Sequence, residues 1–204
     1  MKQYLLFSIF YFLCSCNNSS KEKIVHKAQE KEIIVYENIY INDSIAKKIF
    51  LKGLNLLENN NYNEAYTYFR EANKRQPNNV IILNALANIE NIKGEKSEAE
   101  AKYKKSISID SSYVISYVNY GKLLNQKKLY DEANSILIKG LKLNPSKAER
   151  TALYYNLIFT MVNTGKCEKA KHYAILAKEN SEFEDQKNEI ADIIKGIELY
   201  CENL

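Results

Sequence analysis

The sequence is poor in the residues that break helices. Its 204 residues include six glycines and two prolines. Because a turn-rich all-β fold depends on these two residue types, their scarcity favours an all-α protein. With 46% hydrophobic and 26% charged residues, the chain is long enough for one ordinary core or for a repeat array of similar mass.

Blocks of like charge and catalytic motifs are also scarce. The net charge of +4 is spread along the chain, so nucleic acid is not an expected partner. The two histidines, His26 and His172, belong to no metal-binding or paired-carboxylate motif. Ser44 to Lys47 matches the SxxK string of penicillin-recognising enzymes without their companion motifs, so Ser44 is interpreted as a helix N-cap. We expect no metal, no cofactor and no enzymatic activity.

A hydrophobic run long enough to span a bilayer is missing as well. The N-terminal apolar run, Tyr4 to Leu13, has ten residues, whereas a membrane-spanning helix needs about 20. It follows Lys2 and precedes the polar stretch Asn17 to Lys21. This order of segments is typical of an export signal.

The sequence Leu13-Cys14-Ser15-Cys16 at the end of this run resembles the bacterial lipobox. The resemblance implies a signal peptide over 1–15, cleavage before Cys16, and acylation of Cys16 by several chains, palmitate among them, which is enough for stable anchoring. Asn17 after the cysteine implies the outer membrane of the cell envelope. The alternatives are an ordinary cleaved signal with Cys16 unmodified, or a buried N-terminal segment.

Residues 16–43 are interpreted as a lipidated N-terminus and spacer. The spacer begins with Asn, Ser and Lys and lacks helical periodicity at its start. The segment Ile33 to Ile41 is β-prone and too apolar for a plain linker. It is expected to pack on the first helix or to add to a partner.

An internal repeat follows. Ala65, Ala99 and Ala133 are 34 residues apart. Gly53 and Gly121 occupy equivalent positions, and because glycine costs about 1 kcal/mol inside a helix, their presence indicates a close approach of two helices. Two further sets keep the same interval: Phe69, Tyr103 and Leu137, and then Pro77, Ser111 and Pro145.

These residues resemble the tetratricopeptide repeat, a 34-residue helix-turn-helix unit. The resemblance implies a right-handed α-solenoid of about four hairpins over 44–182, followed by a capping helix over 183–204 that shields the last apolar face. Lys52 and Glu90 stand where the pattern wants apolar residues, and Ile158 where it wants a small one. The predicted repeats are 46–79, 80–113, 114–147 and, after a three-residue insertion, 151–182.

Two cysteines remain, Cys167 and Cys201, and export would place them in an oxidising compartment. Cys167 lies near the start of the second helix of the fourth repeat and Cys201 at the end of the cap. Antiparallel packing of those helices would bring them within about one turn of each other. A disulfide is therefore predicted, and the alternative is two unrelated small core residues.

The resemblance also implies a concave groove that binds protein segments. Its amides would hydrogen-bond an extended peptide, unless they merely solvate exposed helix faces. The Lys/Asn/Arg clamp with which some cytosolic repeats bind a C-terminal carboxylate is absent, because Phe50, Leu54, Ala85, Ile115 and Asn119 occupy its places. The predicted groove residues are Lys47, Phe50, Leu54, Ile81, Asn84, Asn88, Asn91, Val118, Lys122, Asn125, Tyr155 and Phe159.

The function predicted from these features is a membrane-anchored scaffold or adaptor in bacterial envelope assembly, with other envelope proteins as partners. The alternative is a structural lipoprotein that acts as a spacer or dimerises through Ile33 to Ile41.

Overall fold

The computed structural model describes residues 40–202 and shows nine α-helices in that range. The prediction of an all-α solenoid is confirmed. The predicted signal peptide over 1–15, Cys16 and the spacer up to residue 39 lie outside the described residues. The helices are α1 (Ser44–Glu58), α2 (Tyr62–Arg75), α3 (Val80–Ile92), α4 (Lys96–Ile109), α5 (Val114–Gln126), α6 (Tyr130–Leu141), α7 (Lys147–Asn163), α8 (Cys167–Asn180) and α9 (Glu184–Cys201).

The helices form four successive hairpins, α1–α2, α3–α4, α5–α6 and α7–α8, and α9 packs on α8. Helix α3 also contacts α5, and α5 contacts α7, whereas successive second helices do not approach each other to this extent. The first helices, α1, α3, α5 and α7, are therefore the inner helices of a curved array, and α2, α4, α6 and α8 are the outer helices. None of the helices in residues 40–202 has the length and apolar character needed to cross a membrane.

Within each hairpin the two helices approach closely at small residues. In the first hairpin, a Cβ added to Gly53 would lie 2.6 Å from Phe69 Cε1. In the third, a Cβ on Gly121 would lie 2.4 Å from Leu137 Cδ2. Glycine is therefore required where a large side chain of the outer helix lies flat against the inner helix.

In the fourth hairpin the two helices also pack closely, but the large residue lies on the inner helix and the small residue on the outer helix. Ile158 stands at the position of Gly53 and Gly121, and Ala174 at the position of Phe69. Both residues are fully buried in one cluster. The large side chain now comes from the inner helix, and the packed volume is kept.

The turns inside the four hairpins share one backbone feature. Asn60, Gly94, Lys128 and Gly165 all have φ between 58° and 84°, the left-handed region, and each lies two residues after the end of its inner helix. The first three are 34 residues apart and Gly165 follows Lys128 by 37, which places the insertion before it. Helix α7 accommodates the insertion by beginning at Lys147, four residues before the predicted start at 151.

The last helix has the pattern of a cap. Ile190, Ile193 and Ile197 are buried against the fourth hairpin. Asp185 and Lys195 lie exposed on the other side of α9. The array thus ends in a polar surface rather than an apolar one.

Cys167 at the start of α8 and Cys201 at the end of α9 are brought together by this packing. Their Cα atoms are 5.9 Å apart and their sulfur atoms form a disulfide in the structure. Lys171 Nζ pairs with Glu198 one turn further along the same two helices. The link therefore joins the cap to the last outer helix.

We expect Gly53→Ala to destabilise the fold. The added methyl group collides with a buried aromatic ring, an overpacking cost of about 1–3 kcal/mol, which exceeds the gain of about 1 kcal/mol in helix propensity. The midpoint of urea unfolding should fall.

A Phe69→Leu background provides the matched control, because the smaller side chain leaves room for the methyl group. The cost of Gly53→Ala should shrink there. An equal or higher midpoint for Gly53→Ala alone would contradict the close-approach explanation.

The disulfide is tested by peptide mapping without reduction, which should find one cross-linked pair containing Cys167 and Cys201. Replacing both cysteines by serine should lower the free energy of unfolding by roughly 3–4 kcal/mol in the chain-entropy model for a loop of this length. Dithiothreitol should destabilise the wild type but leave the double variant unchanged. Two free thiols in the exported protein would refute the link.

Candidate protein-binding face

Two of the predicted groove residues have no exposed surface. Phe50 and Asn84 are each 0% exposed. The Phe50 ring packs on that of Phe69, with centroids 5.0 Å apart. Both are the fifth residue of their repeats. In this chain that position is buried between helices, so the prediction that these two residues line an open groove is wrong.

Asn84 is the centre of a buried polar network. Its Nδ2 donates to Ser106 Oγ at 2.8 Å and to Ser116 Oγ at 2.9 Å. Both serines are fully buried. These bonds tie α3 to α4 and to α5, so this amide joins two hairpins rather than binding a ligand.

Asn125 joins the next pair of inner helices. Its Nδ2 donates to the carbonyl oxygen of Asn156 at 2.9 Å, and its Oδ1 accepts from Thr160 Oγ1 at 2.9 Å. The residue is 3% exposed. A side chain committed to helix α7 at both ends has little capacity left for a partner.

Four further predicted groove residues are buried, with exposures of 3–5%. Tyr155 packs under the cap beside Ile190 and Ile193. Burial raises the pKa of its hydroxyl, Glu189 adds to the shift, and the hydroxyl has no hydrogen-bond partner among the described residues. These four residues are Ile81, Val118, Tyr155 and Phe159.

The remaining predicted groove residues keep solvent-accessible surface, and their role in binding stays a prediction. Lys47 is exposed, and Leu54, Asn88, Asn91 and Lys122 are half-buried. Asn88 Oδ1 accepts from the Tyr103 hydroxyl at 2.6 Å.

The list of predicted groove residues omitted two further amides on the inner helices. Asn119 and Asn156 are half-buried. Asn119 Nδ2 donates to Asn84 Oδ1 at 3.4 Å across the interface of two inner helices. The side chain of Asn156 donates to the backbone carbonyl of Ala152 at 2.9 Å, and its backbone carbonyl accepts from Asn125. Both amides share the sixth position of their hairpins with the exposed Leu51. The comparison with the carboxylate clamp already placed Asn119 on this face, and the same position in the fourth repeat is that of Asn156.

Glu90, an unexpected carboxylate within an inner helix, is almost completely buried and is paired. Lys102 Nζ lies 2.6 Å from its Oε1, and the Tyr66 hydroxyl donates to the same oxygen at 3.0 Å. Burial and this carboxylate raise the pKa of Tyr66. The departure from the repeat pattern is thus compensated by partners on both neighbouring outer helices.

A second carboxylate, that of Glu100, links the second and third hairpins. Glu100 on α4 accepts from Lys104 and Lys127, and the Tyr120 hydroxyl of α5 donates to it at 3.2 Å. Hydrogen bonds from the two ammonium groups lower the pKa of Glu100 to about 2. Within residues 40–202 no group of three His, Cys, Asp or Glu side chains could hold a metal ion. The clusters around Glu90 and Glu100 instead link neighbouring hairpins through hydrogen bonds from Tyr66 and Tyr120.

Comparison with known proteins supplies the family. The model of the tetratricopeptide repeat matches residues 49–79 and 114–147, which are the first and third hairpins. These two hairpins match the tetratricopeptide repeat, and the fold is that of a tetratricopeptide-repeat solenoid. Proteins of this family bind other proteins through the surfaces of such arrays, and the repeat is in general a non-catalytic scaffold.

Similar proteins come from bacteria and plants. The chain is 28% identical over 121 residues to the type IV pilus assembly protein PilF of Pseudomonas aeruginosa, covering 59% of this chain and 48% of that protein. It is 28% identical over 128 residues to Hsp70-Hsp90 organizing protein 3 of Arabidopsis thaliana, covering 63% and 22%. The chain thus spans half or less of these relatives.

The solved structure of Pseudomonas aeruginosa PilF is similar over a larger part of the array. It superimposes with a TM-score of 0.66 at 25% identity, covering 78% of this chain and 71% of that one. The hairpin arrangement is therefore shared with this pilus assembly protein.

The Glu100 cluster predicts a pH dependence. Because the pKa of Glu100 lies below its ordinary value of 4.5 in the folded protein, its contribution to stability is present above about pH 5 and is lost as the pH falls towards about 2. Glu100→Gln should therefore lower Tm at pH 7 and flatten the fall of Tm below pH 5. Glu64→Gln, at an exposed position of α2, should leave both nearly unchanged. Parallel pH profiles for wild type and Glu100→Gln would contradict the assignment.

Proposed function

We propose that this protein is a lipid-anchored scaffold of the bacterial envelope that holds another protein against its inner helices, and that it is not an enzyme. The observation that carries the proposal is the row of half-exposed amides on the inner helices, Asn88, Asn119 and Asn156 with Lys122 beside them. An amide offers both a donor and an acceptor, which suits the backbone of an extended segment.

The composition of this face supports a backbone-directed mode of binding. Helix α3 carries one carboxylate, the buried and paired Glu90, and α5 carries none. The positions of a carboxylate clamp hold Phe50, Leu54 and Ala85 among others. A partner that presents an internal extended segment therefore fits better than one that presents a free C-terminus, despite the similarity to a plant chaperone organizer.

The anchor is proposed on the N-terminal sequence. Acylation at Cys16 would hold the array at the membrane from its first residue, and Asn17 favours the outer membrane. Similarity to a type IV pilus assembly protein supports a place in the assembly of an envelope structure. The partners are accordingly expected among envelope proteins.

The alternative is a spacer or dimerising lipoprotein in which the inner face binds nothing. It would act through Ile33 to Ile41, most of which lies outside the described residues. Sedimentation of the protein with and without that segment separates the two functions.

The scaffold is tested by site-specific photo-cross-linking in intact cells. A photoreactive residue at Asn119 should capture a defined envelope protein, and the same residue at Asn134 of the outer helix α6 should not. Identification by mass spectrometry names the partner.

The double variant Asn119→Ala with Asn156→Ala should then weaken that complex by about tenfold or more, because each lost amide bond contributes about 1 kcal/mol. Asn63→Ala with Asn134→Ala on outer helices is the matched control and should bind normally. Equal affinity of both double variants for the captured protein would exclude binding by the inner face.

A further inference from the structure

The chain enters the array along one defined edge. Ile41 is buried, Asn79 Nδ2 donates to the carbonyl of Tyr40 at 2.9 Å, and the backbone N–H of Asp43 donates to Gln76 Oε1 at 3.1 Å. Residues 40–43 are therefore fixed on the turn between α2 and α3. We name the edge formed by residues 40–48, 70–82, 104–116 and 138–150 the entry edge, and that formed by 55–67, 89–101, 123–135 and 159–171 the opposite edge.

The two edges differ in charge. The entry edge carries eleven basic and four acidic residues, whereas the opposite edge carries seven basic and nine acidic ones. With the α8–α9 turn at 176–188, which lies on the same side, the counts for the entry edge become thirteen basic and eight acidic residues. The side from which the N-terminal segment emerges is therefore the positive side of the array.

Helix dipoles do not account for this asymmetry. Lys47 and Lys48 lie in the first five residues of α1, and Lys147 is the first residue of α7. The N-terminus of a helix carries a partial positive charge, so cations there are unfavourable. All three side chains are exposed, and within residues 40–202 none of them forms an ion pair. These three positive charges are therefore available to interact with a negatively charged surface outside the array.

Apolar side chains accompany these lysines. Tyr40 is 75% exposed and Ile45 is 52% exposed, the two highest values among the large hydrophobic residues described other than Leu199. Both belong to the entry edge. Tyrosine beside lysine is a combination suited to the boundary between lipid headgroups and acyl chains.

We propose that the entry edge rests on an anionic lipid surface, with Lys47, Lys48 and Lys147 facing the headgroups and Tyr40 and Ile45 at the boundary. The inference rests on the proposed anchor at Cys16, which precedes Tyr40 by 24 residues and would keep the edge near the bilayer. Because attraction to a charged surface acts within a Debye length of about 8 Å at physiological salt, the edge must lie flat on the lipid. The opposite edge then faces away from it.

The absence of tryptophan from the chain gives a direct test. The full-length acylated protein carrying Tyr40→Trp is bound to phosphatidylcholine vesicles with about 30% phosphatidylglycerol, part of the lipid being brominated. Its emission should shift to the blue and fall at least twofold, and both effects should be small in pure phosphatidylcholine. Leu129→Trp, at an exposed position of the opposite edge, should show neither.

Flotation of the same samples separates the two hypotheses. Protein that floats with the vesicles while Tyr40→Trp is quenched no more than Leu129→Trp overturns the edge contact and leaves the anchor standing. Protein that does not float overturns the anchor, and the edge contact with it.

Charge reversal completes the test. Lys47→Glu, Lys48→Glu and Lys147→Glu together should abolish the quenching of Tyr40→Trp without reducing flotation. Lys96→Glu, Lys128→Glu and Lys169→Glu, on the opposite edge, change the net charge equally and should preserve the quenching. Loss of quenching in both triple variants would refute a specific role for the entry edge.

Discussion

The array depends on the close contact of two helices within each hairpin. At that contact one helix presents a glycine or alanine and the other presents a large side chain that fills the space. Phe69 packs against Gly53, and Leu137 packs against Gly121. In the fourth hairpin the inner helix carries the large residue, Ile158, and the outer helix the small one, Ala174. Stacking of one hairpin on the next requires this short distance, because only tightly paired helices leave their remaining faces free to bury against a neighbour.

Much of the fold was predictable from the sequence, because this contact repeats at a fixed interval. Alanines 34 residues apart located the first three hairpins, and the isoleucines of α9 located the cap. The fourth hairpin was harder to delimit, since its small and large residues are exchanged and an insertion precedes it. The left-handed residue of each hairpin turn preserves the register: Gly165 marks the fourth turn as Asn60, Gly94 and Lys128 mark the others.

The inner face was predicted less well, for a physical reason. A repeat position defines a direction on a helix but not which of several neighbours will take up a polar side chain placed there. Asn84 and Asn125 were expected at the surface and are instead used between hairpins, because Ser106, Ser116 and Thr160 supply partners in the interior. Glu90 shows the converse, since Lys102 and Tyr66 make a carboxylate acceptable where an apolar residue is usual. Three of these pairings, Asn84 with Ser116, Asn125 with Thr160 and Glu90 with Tyr66, join different repeats across up to 35 positions, so no single repeat contains both partners.

The interfaces between successive hairpins, here called joints, differ in which helices touch. Inner helices touch between the second and third hairpins and between the third and fourth, where the asparagine networks lie, whereas α1 makes at most marginal contact with α3. The first joint is held through α2, by a buried apolar cluster that includes Phe69 and Ile82 and by the hydrogen bond from Tyr66 to Glu90. The first hairpin is thus joined to the array by contacts of its outer helix, whereas each later interface also has a contact between inner helices. The inner face therefore consists of three helices in successive contact, α3, α5 and α7, and of α1, which is set apart from them.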